Sequence, residues 1–299
     1  MKKVLFIFNP FSGRRKVQEN LPELLRVFSE AAWDVRVYPT KAPLDGRDFV
    51  LRCGGEYECI VCAGGDGTLN EISGAMVEAN LPLPLGYIPA GSTNDFGRSV
   101  DLPADMPACA RIITSGRERR VDTGTINGRH FIYVAAFGPF TGVTYTTPQK
   151  LKNLLGHGAY VLWGVRDILS LRSVPLRAAW AEDGGEKSAS GEFLFGMVSN
   201  SLSVGGFRGI TGKDVDLGDG RFEATLIRKP RGFGDWKDIL SFAFGREVAS
   251  PQLLRFKTDR ISLRFESPVS FTIDGERGGN FESADIRNKA GTLRLLARP

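Results

Sequence analysis

A glycine-rich loop between an apolar segment and a helical pattern carries the residues most able to do chemistry. Residues 59–63 form an apolar run short enough for a buried strand, and Gly64, Gly65 and Gly67 follow where the chain must turn. From Leu69 onward, apolar residues recur at helical spacing. Free backbone amides at the start of a helix favour an anion, so this stretch predicts a phosphate site.

Asp66, in the middle of this loop, limits the chemistry further. Phosphate oxygens repel a carboxylate unless a cation bridges the two groups or the carboxylate handles a proton, so Asp66 indicates Mg²⁺ binding, general-base catalysis or both. The alternative is a solvated residue of an Asp-Gly turn. The flanking Gly-Gly and Thr-Leu-Asn-Glu favour the functional interpretation.

Two more polar, glycine-bearing loops follow predicted strands. Residues 9–13 follow a strand at 4–8, and residues 89–96 follow a strand at 85–88. Strands that alternate with helices predict a parallel α/β sheet, which binds ligands beyond the carboxyl ends of its strands. We therefore expect all three loops at one edge of the sheet. The other elements predicted in this half are a strand at 33–38 and helices at 17–32, 45–53 and from 103 to about 115.

The second half of the chain has the period-two pattern of β-structure. Asn127-Gly128 predicts a tight hairpin between strands at 119–126 and 129–136. Further strands are predicted at 174–182, 192–200, 221–228, 253–257, 260–266, 269–274 and 292–296, and helices at 149–171 and 234–246. We expect two domains: an α/β domain that ends near residue 125 and a mainly-β domain that begins at residue 126.

The composition is ordinary for a two-domain protein of the reducing cytoplasm. The chain has 299 residues, 42% of them apolar and 24% charged, and no run approaches the 18 or more apolar residues of a membrane span. Four cysteines are too sparse for a disulfide framework, so we expect a cytoplasmic location. Cys59 and Cys62 form a Cys-x-x-Cys, but their apolar neighbours favour two buried thiols over a zinc or redox site.

The net charge of +5 would suit nucleic acid, an anionic membrane surface or a nucleotide. No nucleic-acid motif accompanies the charge, so we expect no nucleic-acid partner.

Six segments resemble the diacylglycerol kinase catalytic-domain family, which is related to sphingosine kinases and NAD kinases. The segments occur in the family's order and at its approximate spacing, and the resemblance extends over almost the whole chain. They are residues 9–13, 64–71, 89–96, 122–124, 219–220 and 274–276. The resemblance implies a doubly wound, NAD-kinase-like α/β domain of residues 1–125 with 287–299, because the C-terminal tail packs back on the first domain. It also implies a C-terminal β-sandwich domain of residues 126–286.

The resemblance also implies roles for individual residues. Asp66 would serve Mg²⁺-ATP, and Glu276 would be the catalytic base. A structural Mg²⁺ would be held by Asp219 and by the backbone carbonyls of Asp216 and Arg221. The residues implied to hold ATP are Asn9, Pro10, Phe11, Ser12, Gly13, Thr40, Gly64, Gly65, Gly67, Thr68, Leu69, Asn70, Glu71, Ser92, Asn94, Asp95 and Asp122.

Several of these positions have a plainer interpretation. Glu276 could be a charged residue of an Asp-Gly turn, Asp122 could close a strand, and residues 214–219 could be a solvated acidic turn. Asp216 also stands where the family has an apolar residue, which puts the metal ligands in doubt. An apolar cluster of Phe131, Tyr133, Phe137, Phe140 and Tyr145 could line an acyl cleft, although core packing is favoured.

The leading hypothesis is an ATP- and Mg²⁺-dependent lipid kinase with diacylglycerol as the expected acceptor. The alternatives are a NAD kinase-like enzyme with a soluble substrate and a nucleotide-binding protein without transfer activity. A lipid substrate implies peripheral contact with the inner membrane surface. The sequence leaves the oligomeric state open, with a homodimer as one option.

Overall fold

The computed structural model describes residues 1–138, 172–182, 184–205, 207–208, 211–212, 214–243 and 245–298. The helix predicted at 149–171 lies outside these residues. The chain forms two compact units: a first unit of Met1–Tyr133, Asn200–Arg221 and Asn288–Pro299, and a second unit of Val134–Ser199 and Phe222–Arg287. These units group residues 126–133 and 200–221 with the first unit, whereas the sequence-based boundaries assign them to the second domain.

The described strands and helices are numbered in chain order. The strands are β1 Lys2–Phe8, β2 Trp33–Pro39, β3 Cys59–Gly64, β4 Pro84–Pro89, β5 Arg117–Ile126, β6 Arg129–Phe131, β7 Val134–Phe137, β8 Val174–Glu182, β9 Gly185–Ser199, β10 Ser203–Val204, β11 Phe207–Arg208, β12 Phe222–Arg228, β13 Leu253–Thr258, β14 Arg260–Ile273 and β15 Glu276–Ala297. The helices are α1 Lys16–Glu30, α2 Asp45–Cys53, α3 Asp66–Glu78, α4 Asp95–Ser99, α5 Met106–Ser115 and α6 Phe233–Ala243.

The first unit is built on the predicted parallel sheet, with strand order β4-β3-β1-β2. Helices α1 and α5 pack on the face that carries Val4 and Phe6. On the other face, Gly46 of α2 lies against the side chains of Ile7 and Ile72. The sheet is therefore covered on both faces, as parallel sheets generally are.

The C-terminal tail belongs to this first sheet. Arg294 and Leu295 of β15 pair in parallel with Pro84 and Leu85 of β4. The structure thus confirms the expectation that the tail packs on the first domain.

The Asn127-Gly128 hairpin is confirmed, but the strand predicted after it is divided in two. Both turn residues have positive φ, 49° and 83°, as a two-residue hairpin turn requires. Strand β6 ends at Phe131, and β7 begins at Val134 with β9 and β14 as its partners. A period-two pattern continues through such a change of partners, so the pattern alone cannot reveal it.

The second unit is mainly antiparallel β, as predicted. Its strand order is β13-β12-β9-β7-β14-β15, and β8 pairs with both β9 and β14. These pairings join the described strands of the second unit in one hydrogen-bonded sheet. The expected sandwich would instead have two separate sheets. The rings of Trp180 on β8 and Phe256 on β13 stack with centroids 4.0 Å apart, so this sheet folds over on itself.

Three strands of the second unit are longer than predicted. Strand β9 begins at Gly185 because its polar start pairs with β8, and backbone pairing does not require apolar side chains. Strand β14 continues through Pro268 because a register shift between Arg264 and Val269 absorbs the proline. Strand β15 covers a polar stretch, 276–291, in which no strand was predicted.

The core interpretation of the aromatic cluster is confirmed for the described members. Phe131, Tyr133 and Phe137 are all buried, and the ring of Phe137 contacts the rings of Phe265 and Phe271. Phe140 and Tyr145 lie outside the described residues. Cys59 and Cys62 are buried thiols in β3, as expected, and burial raises the pKa of Cys59 to about 12.

Candidate functional site

Three loops meet at the carboxyl edge of the first sheet, as the sequence predicts. They are loop 1 (residues 9–13, after β1), loop 2 (residues 64–71, after β3) and loop 3 (residues 89–96, after β4), and their strands are neighbours in the sheet. The Asn9 N–H donates to the carbonyl of Ala63, and the Ala90 N–H donates to the carbonyl of Gly64. Backbone hydrogen bonds thus join loops 1 and 3 to the end of β3. We call this set of loops the loop edge.

Glycine is required where the loops approach each other. Gly13 has φ +56°, and a Cβ atom there would lie 2.3 Å from the carbonyl oxygen of Ala90. A Cβ atom on Gly91 would lie 2.7 Å from the Cα of Gly65. Real Cβ atoms do not approach backbone this closely, so the loops depend on glycine for their contacts.

Asp66 links loop 2 to loop 3. It is the first residue of α3, and its carboxylate accepts hydrogen bonds from the N–H groups of Asp95 (3.1 Å) and Phe96 (3.4 Å) at the start of α4. The preceding residue, Gly65, gives α3 no side-chain cap. Because the first amides of a helix have no partner within it, those of α3 suit an anionic ligand.

Asn94 and Asp95 hold loop 3 in shape. The Asn94 side chain accepts from the Gly91 N–H (2.8 Å) and donates to the Gly91 carbonyl (2.9 Å). Asp95 is 2% exposed, and its carboxylate accepts from Ser203 Oγ and from the Gly205 N–H, each at 2.7 Å. Both residues therefore have a structural role, and their predicted contact with the nucleotide stays a prediction.

Sequence analysis missed residues 200–205, which support the site. Ser201 Oγ lies 2.8 Å from Ser99 Oγ of α4, and Ser203 bonds to Asp95. Ser199, Asn200, Ser201 and Ser203 are all buried, so a polar run directly after an apolar strand was the available signal.

Asp122 is fully buried and binds backbone amides of two other segments. Its carboxylate accepts from the Gly220 N–H (2.6 Å) and the Gly291 N–H (2.7 Å), and its own N–H donates to Leu217. Asp122 lies within β5 and does not close a strand, so the strand-closing interpretation is wrong; its carboxylate instead holds the segments of Gly220 and Gly291 in place. Its predicted contact with the nucleotide stays a prediction.

The acidic loop at 214–221 is ordered by short local bonds. Asp216 accepts from the Gly218 N–H (3.1 Å) and Asp219 from the Arg221 N–H (2.9 Å), while both carboxylates remain exposed. The described residues contain no group of three or more His, Cys, Asp or Glu side chains placed to hold a metal. The predicted Mg²⁺ site at Asp216, Asp219 and Arg221 stays a prediction.

The remaining predicted nucleotide residues of loop 1 and β2 differ in exposure. Thr40 is buried, and its N–H donates to the carbonyl of Phe8, which places it beside the end of β1. Phe11 is exposed, and its N–H donates to Oδ1 of Asn9, which orders the start of loop 1.

Glu276 lies in the second unit, just after the tight turn between β14 and β15. Asp274 and Gly275 form the turn with φ of 47° and 81°. The Asp274 carboxylate is buried and accepts from the Val134 N–H (3.0 Å), whereas Glu276 is exposed. Asp274 therefore stabilises the turn, and Glu276 is left facing solvent.

His130 and Ser73 form a second group that sequence analysis missed. His130 Nε2 lies 3.1 Å from Ser73 Oγ on α3, and that hydroxyl also donates to the carbonyl of Asn70. Burial lowers the pKa of His130 to about 4. The histidine is therefore neutral at pH 7 and packs against the helix that follows loop 2.

The fold and the loops together define a class. A parallel sheet with glycine loops and a carboxylate at its carboxyl edge, followed by a mainly-β unit, suits a phosphate-containing ligand, as a phosphotransferase requires. No helix in the described part of the chain has the length and apolar content that crossing a bilayer requires.

Comparison with known proteins gives the family. The diacylglycerol kinase catalytic domain matches residues 3–126. The diacylglycerol kinase of Bacillus subtilis (strain 168) is 32% identical over 285 residues, which cover 93% of this chain and 91% of that protein. A diacylglycerol kinase of Staphylococcus saprophyticus is 32% identical over 280 residues, 93% of this chain and 90% of that protein. The chain therefore belongs to the diacylglycerol kinase family and is a kinase that acts on a lipid alcohol.

Solved structures agree with the fold. The crystal structure of a diacylglycerol kinase from Bacillus anthracis str. Sterne superposes with a TM-score of 0.77 at 20% identity, covering 100% of this chain and 97% of that chain. Another structure from the same organism has a TM-score of 0.83 at 24% identity, covering 100% of this chain and 96% of that chain.

Proposed function

We propose that the protein transfers the γ-phosphoryl group of ATP to the hydroxyl group of diacylglycerol, in a Mg²⁺-dependent reaction that yields phosphatidic acid. The observation that carries this proposal is the loop edge, where three glycine-bearing loops are bonded together around the uncapped start of α3. The names of the relatives support the choice of acceptor. We further assign the first unit to a doubly wound, NAD-kinase-like domain and the second to the lipid-kinase C-terminal domain.

In this proposal the loop edge binds ATP. Backbone amides at Gly64, Gly65 and Gly67 hold phosphate oxygens, since glycine leaves those amides open to a ligand. Asp95 and Asp122 act through the backbone segments that their carboxylates hold in place. The other proposed nucleotide contacts are Asn9, Pro10, Phe11, Ser12, Gly13, Thr40, Thr68, Leu69, Asn70, Glu71, Ser92 and Asn94.

A bound Mg²⁺ would neutralise negative charge on the transferred phosphoryl group. Asp66 is the residue proposed to serve the Mg²⁺-ATP complex. A structural ion is assigned to the Asp219 carboxylate with the carbonyls of Asp216 and Arg221, because oxygen atoms are the ligands that Mg²⁺ prefers. The loop that carries these residues is held in place, because its Gly220 N–H donates to the buried Asp122 carboxylate. A fixed loop favours ion binding.

Glu276 is proposed to accept the proton of the lipid hydroxyl. Phosphoryl transfer needs such an acceptor, and Glu276 carries a carboxylate that the turn does not use. A bilayer substrate also requires the protein to reach a membrane from the cytoplasmic side, and its positive net charge supports peripheral contact with an anionic surface. A homodimer stays a prediction.

Incubation with γ-labelled ATP, Mg²⁺ and a panel of lipids, with NAD alongside, tests the proposal. The expected product is labelled phosphatidic acid, and chelation of Mg²⁺ should abolish it. Labelled NAD with unlabelled lipids would favour the NAD kinase-like alternative, and nucleotide binding without any labelled product would favour a binding protein.

Asp66→Asn is the matched variant for this assay. We expect it to fold and to lose most transfer activity, because asparagine lacks the negative charge proposed to serve Mg²⁺-ATP. The loss should be roughly 10²–10⁴-fold if Asp66 also handles a proton. Asparagine keeps one acceptor oxygen for the amides of α4, so a collapse in thermal stability would assign Asp66 to structure alone. Normal turnover would refute its role in transfer.

A further inference from the structure

Helix α6 of the second unit has apolar side chains on a side that is partly exposed to solvent. Ile239 and Phe242 are its buried residues. Phe233, Trp236 and Leu240 recur at spacings of three, four and seven residues, so they share one side of the helix, where Trp236 and Leu240 are half-buried. Phe233 is 87% exposed, the largest exposure of any described aromatic side chain. A surface helix normally presents polar residues to solvent, so the exposed ring of Phe233 at the start of α6 is unusual.

Cations border this apolar face. A groove of about 420 Å³ is lined by Phe233, Trp236, Lys237, Leu240, Ser241 and Arg246. Lys229 and Arg231 are exposed in the segment that leads into the helix. Lys237, Arg246, Lys229 and Arg231 form no ion pair with any residue that the structure describes.

The acidic residues of α6 lie elsewhere. Asp235 accepts from the Arg231 N–H (2.7 Å) and so orders the start of the helix. Asp238 precedes Phe242 by four residues, which places it on the core side of the helix. The outward face therefore combines aromatic and aliphatic side chains with uncompensated positive charge.

We propose that this outward face of α6 is the surface by which the protein docks on an anionic lipid bilayer. We call it the α6 face: Phe233, Trp236, Lys237, Leu240 and Arg246. Aromatic rings enter the boundary between headgroups and acyl chains, and lysine and arginine are attracted to anionic headgroups, so both components suit one occupant. The inference rests on the proposed lipid kinase function, for which it names the docking surface.

A second copy of the chain is a poorer occupant. A symmetric contact would place the four cations opposite their own copies, which is repulsive. A helix of 11 residues is about 16 Å long and about 10 Å wide, so its face buries far less than the roughly 800 Å² per partner of a stable interface.

The test is flotation with vesicles of phosphatidylglycerol and phosphatidylcholine in equal parts, and with vesicles of phosphatidylcholine alone. The full chain is compared with Phe233→Ser/Leu240→Ser and with Lys237→Glu/Arg246→Glu. The matched control is Leu51→Ser/Arg52→Glu, which combines one apolar and one charge exchange at exposed positions of α2. Emission of Trp236, isolated by difference from Trp236→Phe, reports whether the ring enters the lipid.

The full chain and the control should bind the anionic vesicles and release them in about 0.5 M salt. Both α6 variants should bind about tenfold or more weakly, since two cations near an anionic leaflet are worth about 30-fold and one buried aromatic ring a comparable factor. Trp236 emission should shift to shorter wavelength and be quenched by brominated lipid.

Equal vesicle binding by the α6 variants and the full chain would overturn the inference, as would a full chain that binds neither vesicle. A smaller oligomer in the α6 variants, measured by light scattering, would assign the face to a second copy and also overturn it. Phosphorylation of diacylglycerol dispersed in detergent micelles separates this inference from the proposed function. The α6 variants should match the full chain there, whereas a full chain without micellar activity would refute the proposed function and leave the docking result to stand alone.

Discussion

The acidic residues of the loop edge, in the first unit, and of the Asp274–Glu276 turn, in the second unit, differ in burial and in hydrogen bonding. At the loop edge, the buried carboxylate of Asp95 accepts hydrogen bonds from Ser203 Oγ and from the Gly205 N–H. In the turn, Asp274 does the same for Val134, while Glu276 next to it is exposed.

This difference distinguishes two roles of a carboxylate, structural and catalytic, which the sequence motif alone does not tell apart. A buried carboxylate that binds amides holds loops in position, and its removal leaves buried donors unsatisfied. An exposed carboxylate contributes little to folding and is available to a reactant. The comparison therefore predicts which substitutions affect stability and which affect activity.

The largest effect is expected for Glu276→Gln. If Glu276 accepts the hydroxyl proton, the rate of lipid phosphorylation should fall by roughly 10²–10⁴-fold, because glutamine cannot take a proton. The melting temperature should not change, because the side chain is exposed. Initial rates with diacylglycerol, together with thermal melts, measure both quantities.

Asp274→Asn is the matched control for Glu276→Gln, since it changes the buried acid of the same turn. It should lower stability more than the Glu276 variant does. A Glu276→Gln enzyme with normal turnover would break the comparison, because the exposed acid would then have no role in transfer.

The second effect is expected for Asp95→Ala, and it is one of stability. The substitution leaves Ser203 Oγ and the Gly205 N–H without their acceptor, at a cost of about 2–3 kcal/mol in the free energy of unfolding. Chemical denaturation measures the loss. Ser203→Ala removes one donor and should cost only about 1 kcal/mol, so equal losses in the two variants would argue against this account.

Much of the loop edge could be predicted from sequence because each loop is short and follows its own strand. The glycines of loops 1 to 3 and their place at the carboxyl edge follow from local pattern and from the geometry of parallel sheets. The bond between Asp95 and Ser203 could not be predicted, since it joins residues 108 positions apart. The polar strand β15 was missed because cross-strand pairing, rather than apolar content, fixes it.

The third effect concerns His130, a half-buried base that packs against helix α3 behind loop 2. His130 has a pKa of about 4 in the folded protein, below the ordinary value of 6.5. As pH falls from about 6.5 to about 4, the unfolded chain takes up a proton that the folded protein does not, so stability is lost across that window. The loss relative to His130→Phe should be on the order of 2 kcal/mol, measured by denaturation at several pH values. Parallel pH curves for the two proteins would contradict this.

The smallest effect is expected for Asp219→Ala. Asp219 shares features with both kinds of acidic residue, the structural one that binds amides and the exposed one. Asp219 is exposed like Glu276, yet one of its oxygens accepts from the Arg221 N–H as in a structural turn. If the loop binds Mg²⁺, the ion stabilises only the folded state, so the substitution should lower the melting temperature more with Mg²⁺ than with a chelator. Asp216→Ala is the control, because only the backbone carbonyl of Asp216 is assigned to the ion, and its loss should be alike in both conditions. Equal losses for Asp219→Ala with and without Mg²⁺ would leave this residue as part of a turn, on the structural side of the comparison.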